Sequence, residues 1–294
     1  MFRETVLKYT GEGRKVFLNL RVFIKWTGVA ILCIGLFACT SNKNAENVHY
    51  AKDDRQTLDI YTPQTNEGKK HPVLIYLHGG GWTSGDKSRA ASKPAFFTEN
   101  GYVFVSVNYR LHPDVQYDEM ADDAAKVVKW VMDHADEYQI DPSKINVMGH
   151  SAGGHLAGLI AADSTYLNRV GLTPAALNSI VVLDGPLDMK RFIEAIPSYK
   201  EVFGSDEKVW TKASPLSYIN NSKLPPAYLV TRWEDPAVYK FAETVNKAKA
   251  TDFVYRVNSL SHSDLNKMFG SPDAPAEAQN LTKAVMAFLE KENK

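Results

Sequence analysis

Ser151 stands among small residues in the segment Gly149–Gly154, directly after a short apolar run at residues 145–148. A serine flanked by glycines between a strand and a helix is typical of a tight turn that exposes the hydroxyl as a nucleophile. The N-terminus of the following helix favours the negative charge that develops during attack on a carbonyl. Small residues at this place can also serve only to let a strand and a helix pack closely. The neighbouring motifs must distinguish between these two interpretations.

A second glycine run, Gly79–Gly81, follows His78 and the apolar run at residues 73–77. Backbone N–H groups without side chains around them suit an oxyanion hole. We expect the N–H groups of Gly80, Gly81 and Ala152 to form one. A flexible turn would explain the glycines alone, but not their position after a buried strand, and the order of the two motifs favours the nucleophile interpretation.

A serine hydroxyl is a weak nucleophile and needs a base that takes its proton. His262 lies in a polar loop after the apolar run at residues 253–257, and the only other histidine after Ser151 is His155. His155 follows four residues into the same helix and is expected to have a packing or lid role. His262 is therefore the predicted base.

The acid that orients this base is expected on the loop after the strand at residues 227–231. Asp235, which precedes Pro236, is the first choice and Glu234 the second. An aspartate before a proline is also a common helix N-cap, which gives Asp235 a purely structural alternative. Asp184 and Asp188, at the end of an earlier strand, are weaker alternatives.

Three further residues are expected to line the substrate pocket: Trp82, Tyr109 and His150. Trp82 and Tyr109 both follow predicted strands at the edge of the sheet that carries Ser151. Packing in the core is the alternative role for such aromatic residues, and it is as well supported as a pocket role for Tyr109.

Strand and helix patterns alternate along the chain, which predicts an α/β fold with a doubly wound, mostly parallel sheet flanked by helices. Sites in such sheets form at the carboxyl ends of the strands, where both glycine motifs fall. Residues 186–215 break the alternation and are expected to form a small cap or lid. Strands are predicted at residues 56–61 (an outer strand), 73–77, 103–107, 145–148, 179–183, 227–231 and 253–257, and helices at 119–134, 237–249 and 276–291.

The charge balance and the cysteines exclude several classes of partner. The chain has 34 basic and 34 acidic residues among 294, so it lacks the basic excess of a nucleic-acid-binding protein. Its two cysteines, Cys33 and Cys39, leave the rest of the chain without a disulfide or a thiolate metal site. No two histidines have the spacing of metal ligands, so we expect no metal and no cofactor.

The first 39 residues have the pattern of a targeting segment. Basic residues dominate positions 1–25, and the uncharged stretch 26–38 is short for a transmembrane helix, which needs about 20 apolar residues. The segment Leu36–Cys39 resembles a bacterial lipobox, from which Phe37 departs. We expect export to the bacterial envelope with a lipid on Cys39, periplasmic or associated with the outer membrane; a plain signal peptide and an uncleaved anchor are the alternatives. Residues 40–54 would be a tether and 55–294 the catalytic domain.

Four segments together resemble the esterase/lipase branch of the α/β-hydrolase superfamily: HGGGW (78–82), NYRLHP (108–113), GHSAGG (149–154) and SHSDLN (261–266). The branch includes hormone-sensitive-lipase-like, arylformamidase-like and bacterial feruloyl-esterase-type domains, and the resemblance covers most of residues 55–290. It implies the α/β-hydrolase fold, with the family nucleophile at Ser151, the base at His262 and the acid at Asp235. It also implies oxyanion glycines at Gly80 and Gly81. The segment Thr231–Trp233 departs from the family, which usually has a small pair there.

The resemblance implies a serine hydrolase that cleaves carboxylic esters through an acyl-enzyme, without a cofactor. A small-molecule or polysaccharide-linked ester is the expected substrate, and membrane contact would come only from the N-terminal segment. A peptidase or amidase of the same fold, or a catalytically silent binding module, are the alternatives. Neither the ester nor the oligomeric state follows from the sequence.

Overall fold

The computed structural model describes residues 43–64, 68–220 and 224–294. The targeting segment and Cys39 lie outside these ranges, so export and lipid attachment stay predictions. None of the helices within the described ranges is long and apolar enough to cross a membrane.

Eight strands of the described chain form one sheet in the order β1-β2-β4-β3-β5-β6-β7-β8. The first two strands and β4 pair antiparallel, and every other neighbouring pair is parallel. The strands are β1 (Ala45–His49), β2 (Thr57–Tyr61), β3 (His71–Leu77), β4 (Val103–Val107), β5 (Ile140–His150), β6 (Ser179–Leu183), β7 (Ala227–Thr231) and β8 (Val254–Arg256).

The structure corrects the prediction for the start of the domain. Residues 45–49, expected in a tether, form the edge strand β1, so β2 is an inner strand and not the outer one. One of the polar residues that suggested an exposed strand is Asp59, and its side chain is buried. Lys87 Nζ donates to its carboxylate at 2.6 Å and the backbone N–H of Asn47 donates to it at 2.8 Å. A buried charge is tolerated when it has such partners. A strand with alternating polar and apolar residues can therefore lie inside the sheet.

Helices cover both faces of the sheet. Successive residues of β3 point to opposite faces, so Val73 and Ile75 belong to one buried cluster and Leu74 and Tyr76 to another. The helices are α1 (Lys93–Glu99), α2 (Tyr117–Asp133), α3 (Ala152–Ala162), α4 (Ser164–Arg169), α5 (Met189–Ala195), α6 (Lys200–Phe203), α7 (Glu207–Ala213), α8 (Pro236–Asn246), α9 (His262–Lys267) and α10 (Ala276–Glu292). The first cluster includes side chains of α2 and α3, and the second those of α1 and α10.

The predicted fold class is confirmed, including the cap. Between β6 and β7 the chain forms the three short helices α5, α6 and α7, within the residues 186–215 that break the strand–helix alternation. Because α5 to α7 are inserted after β6, they stand at the carboxyl end of the sheet, beside the glycine motifs.

Candidate active site

Ser151 lies on a strained turn between β5 and α3. Its backbone angles are φ 56° and ψ −121°, a conformation that is costly for a residue with a side chain. The turn is fixed by hydrogen bonds from Ser151 N to Leu183 O and from His155 N to Ser151 O, each 2.9 Å long. Strain of this kind, held by its surroundings, is the geometry expected of a nucleophile that stands above the sheet.

The glycines on either side of Ser151 are required by close backbone contacts. A Cβ added to Gly149 would lie 2.1 Å from Gly153 O, and one added to Gly153 would lie 2.1 Å from Leu77 O. Both distances are far below contact, and in both cases the neighbour is backbone that cannot rotate away. The spacing of the motif therefore follows from the packing of α3 against β5 and β3.

The run Gly79–Gly81 lies against the same turn. A Cβ on Gly79 would lie 3.0 Å from Ser151 Cβ, so the two motifs are in direct contact. Gly80 and Gly81 have positive φ angles of 135° and 61°. Gly80 O accepts hydrogen bonds from Thr83 N and Ser84 N at 3.2 and 3.0 Å, which folds the run into a compact loop. Ala152 begins α3, so its N–H group is one of those that the helix itself leaves unpaired.

His262 opens α9 and is hydrogen-bonded to Asp184. Its Nδ1 lies 2.6 Å from Asp184 Oδ2. The N-terminus of α9 is closed by a capping box in which Ser261 and Asp264 exchange hydrogen bonds. With the carboxylate accepting at Nδ1, the neutral imidazole carries its proton there and keeps Nε2 as an acceptor.

The structure corrects the predicted carboxylate partner of His262. Asp184, given as a weaker alternative, contacts His262, whereas Asp235 accepts from the backbone N–H of Ala237 at 3.0 Å and caps α8. Asp235 thus has the structural role that an aspartate before a proline commonly has. Its carboxylate is committed to the helix terminus and to Arg191, 3.8 Å away. The other two alternatives are committed as well: Glu234 pairs with Arg256, and Asp188 caps α5.

Arg232 holds Asp184 from the other side. Its Nε donates to Asp184 Oδ2 at 2.5 Å, and its backbone N–H to Oδ1 at 3.3 Å. Burial alone would raise the pKa of Asp184, but the hydrogen bonds from His262 and Arg232 outweigh it and hold that pKa below its usual range. Asp184 is therefore ionised at neutral pH. Sequence reasoning gave Arg232 no function; its only signal was its departure from the family pattern.

The chain is similar to known proteins over most of its length. The BD-FAE family model matches residues 58–248, which is more than half of the chain. The chain belongs to the BD-FAE family. The resemblance to the esterase/lipase branch of the α/β-hydrolase superfamily is thereby confirmed.

Curated relatives of this BD-FAE chain are named as esterases. A probable isoprenylcysteine alpha-carbonyl methylesterase of Oryza sativa is 32% identical and covers 88% of this chain and 67% of its own length. The esterase LipQ of Mycobacterium tuberculosis is 29% identical over 65% of this chain and 49% of its own length. The match with the first three curated relatives spans 47 to 60% of the length of those proteins.

Solved structures share the fold of the BD-FAE chain. A truncated carbohydrate esterase from gut microbiota superposes with a TM-score of 0.69 at 22% identity, covering 87% of this chain and 98% of its own. Esterase 2 of Thermogutta terrifontis, phosphoramylated by tabun, gives 0.66 at 23% identity over 85% of this chain and 94% of its own.

The residues expected to line the substrate pocket are instead buried in this BD-FAE domain. Trp82 is 1% exposed, because the cap aromatics Phe192, Tyr199 and Phe203 pack edge-on against its ring. Its Nε1 donates to His155 Nδ1 at 3.2 Å. Those two residues thereby join α3 to the cap, since His155 Nε2 also bonds Ala213 O at 2.8 Å.

Tyr109 and His150 are likewise not pocket walls. Tyr109 is fully buried, stacks on His78 and donates to its carbonyl oxygen at 2.7 Å, which braces the start of the glycine run. His150 is 7% exposed and lies under His262, with the two ring centroids 4.5 Å apart. Each side chain packs against a neighbouring histidine, and neither lines the cavity to which Ser151 contributes.

The space above Ser151 is a cavity of about 430 Å³. Ser151, Asp184 and His262 all contribute to its lining, so the strained serine and the hydrogen-bonded histidine–carboxylate pair face one volume. The cap adds Phe192, Ile196 and Tyr199, and the loop after β7 adds Arg232 and Trp233. The cavity is thus enclosed by the cap on one side and the β7–α8 loop on the other.

Proposed function

We propose that this chain is a serine hydrolase that cleaves carboxylic esters through an acyl-enzyme. The observation that carries the proposal is that one cavity is lined by a serine on a strained turn and by a histidine bonded to an ionised carboxylate. Curated relatives named as esterases support esters over peptides as the substrate class.

In the proposed reaction His262 accepts the Ser151 hydroxyl proton at Nε2 while Oγ bonds to the carbonyl carbon of the ester. Asp184 keeps the other ring nitrogen protonated and stabilises the imidazolium. The N–H groups of Gly80, Gly81 and Ala152 are assigned to the oxyanion, because the glycine loop abuts Ser151 and α3 begins beside it.

Collapse of the tetrahedral intermediate breaks the bond to the alcohol oxygen, which takes the proton from His262. The acyl group stays on Ser151. Water then gives a proton to His262 and attacks the acyl carbon, and the second collapse releases the acid and returns the proton to Ser151. Each step uses groups that the described residues provide.

The proposal is tested by covalent labelling together with turnover. We expect a fluorophosphonate to add once, on the peptide that contains Ser151, and the same protein to hydrolyse 4-nitrophenyl acetate or butyrate with an initial burst of nitrophenol. Ser151→Ala is the control and should take no label. A protein that neither reacts nor turns over would be a binding module, and preferential cleavage of anilides would identify an amidase; either result overturns the ester proposal.

We also propose that the chain is exported and carries a lipid on Cys39. The basic segment, the short apolar stretch and the Leu36–Cys39 match support this. When the full chain is expressed, Cys39→Ser should move it from the membrane fraction to the soluble fraction, whereas the matched variant Cys33→Ser should stay on the membrane. Retention of both variants would instead indicate an uncleaved anchor.

A further inference from the structure

The mouth of the cavity carries an apolar rim. Among the described residues, only two large hydrophobic side chains are exposed: Ile196 at 44% and Trp233 at 65%. Both contribute to the cavity that Ser151 lines. Ile196 comes from the cap and Trp233 from the β7–α8 loop. Exposed apolar side chains that converge on one site mark a binding surface, whereas single ones scattered over a protein need no explanation.

Trp233 is held in place although its ring is exposed. Its backbone N–H donates to Thr231 Oγ1 at 3.2 Å, and the same hydroxyl donates to Trp233 O at 2.9 Å. The Arg232 guanidinium lies 5.1 Å from the indole centroid and is itself bonded to Asp184. The indole is therefore positioned before any ligand arrives, which lowers the entropic cost of binding to it.

The charged groups of the lining already have partners. Arg232 pairs with Asp184 at 2.5 Å and Arg191 lies 3.8 Å from Asp235. The lining holds four carboxylates against these two arginines, so its charge disfavours an anionic substrate. Phe192 and Tyr199 add two more apolar side chains to the same lining. The cavity consequently favours a neutral, apolar ligand.

We propose that the substrate is a neutral ester in which the acyl or the alcohol part is a bulky apolar group that reaches the rim formed by Ile196 and Trp233. This proposal rests on the proposed ester hydrolase function. It goes further because it names the chemistry of the substrate and the two residues that select it. Burial of each additional methylene is worth about fourfold in binding when its full area is covered.

The test measures kcat/KM for two series of esters below their micelle concentrations. One series varies the acyl chain from acetate to octanoate on 4-nitrophenol, and the other varies the alcohol of acetate esters from methyl to octyl. We expect kcat/KM to rise with length in at least one series, by about two- to fourfold per methylene. In Trp233→Ala and Ile196→Ser the ratio of long to short ester should fall at least about tenfold. Glu201→Ala, in the cap but outside the cavity lining, is the matched control and should keep the wild-type ratio.

Three results would overturn the rim proposal: a flat or falling profile in both series, equal losses on short and long esters in the rim variants, or faster turnover of acetylated sugars than of octanoate. Absence of turnover on every ester would instead contradict the proposed function, so the two failures are distinguishable.

A second inference concerns His150 and rests on separate contacts. Its Nε2 lies 2.8 Å from the backbone oxygen of His262, and the two imidazole planes are inclined by 36°. On its other side, a Cβ added to Gly79 would lie 2.8 Å from His150 Nδ1. His150, which directly precedes Ser151, therefore contacts both the start of α9 at His262 and the glycine run at Gly79.

His150 is neutral at physiological pH. Burial, and after it the neighbouring His262, lower its pKa to about 3. A neutral imidazole that faces a carbonyl oxygen through Nε2 carries its proton there and donates it. We infer that His150 is a positioning residue: it fixes the His262 backbone and supports its ring, so that Nε2 of His262 stays in reach of Ser151.

His150→Leu removes the donor and His150→Gln keeps an N–H in reach. We expect the leucine variant to lose about 10- to 100-fold in kcat with KM changed less than about threefold, since a base displaced by about 1 Å is enough for such a loss. The glutamine variant should recover at least part of that loss. Thermal melting of both variants separates positioning from unfolding. Full kcat in the leucine variant, or equal loss in both variants with a parallel fall in melting temperature, would contradict the inference.

Discussion

Ser151→Ala is expected to reduce kcat for 4-nitrophenyl butyrate by at least about 1,000-fold while the protein stays folded. The variant removes the atom that attacks the ester carbonyl and carries the acyl group in the proposed mechanism. The strained turn does not depend on the hydroxyl, because it is fixed by backbone bonds to Leu183 and from His155. KM should therefore change little. His262→Ala is expected to cost about as much, since the hydroxyl then has no base.

The double variant is the sharper measurement. If the two residues act as one unit, Ser151→Ala with His262→Ala should be no slower than either single variant, because the second change removes a group that has nothing left to act on. Independent losses that multiply would contradict the shared role. Thermal unfolding of all three proteins serves as the control.

Seven of the eight described strands and the turn at Ser151 could be predicted from the sequence because their signals are local, whereas the edge strand β1 was not predicted. Gly149 and Gly153 are required by contacts with backbone of adjoining elements, and such requirements leave a fixed spacing in the chain. His262 could be assigned by elimination, since few histidines follow Ser151. The glycines follow from the geometry of the turn, and His262 follows from its order in the chain. Both kinds of information can be read from one sequence.

The carboxylate that contacts His262 could not be assigned in this way, because the choice between two aspartates depends on how the loops pack. Asp184 and Asp235 both follow strands at the correct edge of the sheet, after β6 and β7 respectively. One signal did favour Asp184: the next residue, Gly185, lies so close to the turn that a Cβ there would be 2.8 Å from Ser151 O. Because Gly185 packs against the turn at Ser151, the residue before it, Asp184, lies close to the same turn.

The aromatic residues show a second limit of local reasoning. Trp82 stands at the end of the glycine run, where a wall of the cavity would be expected. The cap helices cover it, and residues of the cap, Phe192 and Tyr199 among them, face the cavity instead. The cap at residues 186–215 therefore determines which side chains line the cavity. How the cap packs depends on contacts between distant parts of the chain, and local sequence motifs do not predict such contacts.

Asp184→Asn is expected to lower kcat by about 10,000-fold, and Asp235→Asn by less than about threefold. An asparagine at position 184 keeps the shape of the side chain but has no charge to stabilise the His262 imidazolium. The asparagine amide can also donate to Nδ1 of His262. The imidazole proton would then be on Nε2, and a protonated Nε2 cannot accept the proton of Ser151. Arg232 would in addition lose its ionic partner at 2.5 Å beside the base.

The matched change at Asp235 isolates the catalytic effect, because asparagine is as good an N-cap as aspartate. Asp235→Asn should therefore preserve the hydrogen bond to Ala237 N, the start of α8 and the melting temperature. The measurement is kcat on one short ester for the wild type and both variants, with melting curves alongside. A large loss in Asp235→Asn with little loss in Asp184→Asn would move the acid to the β7–α8 loop. Because the two substitutions are chemically identical, the ratio of their rates reports on the position of the carboxylate and on nothing else about the change.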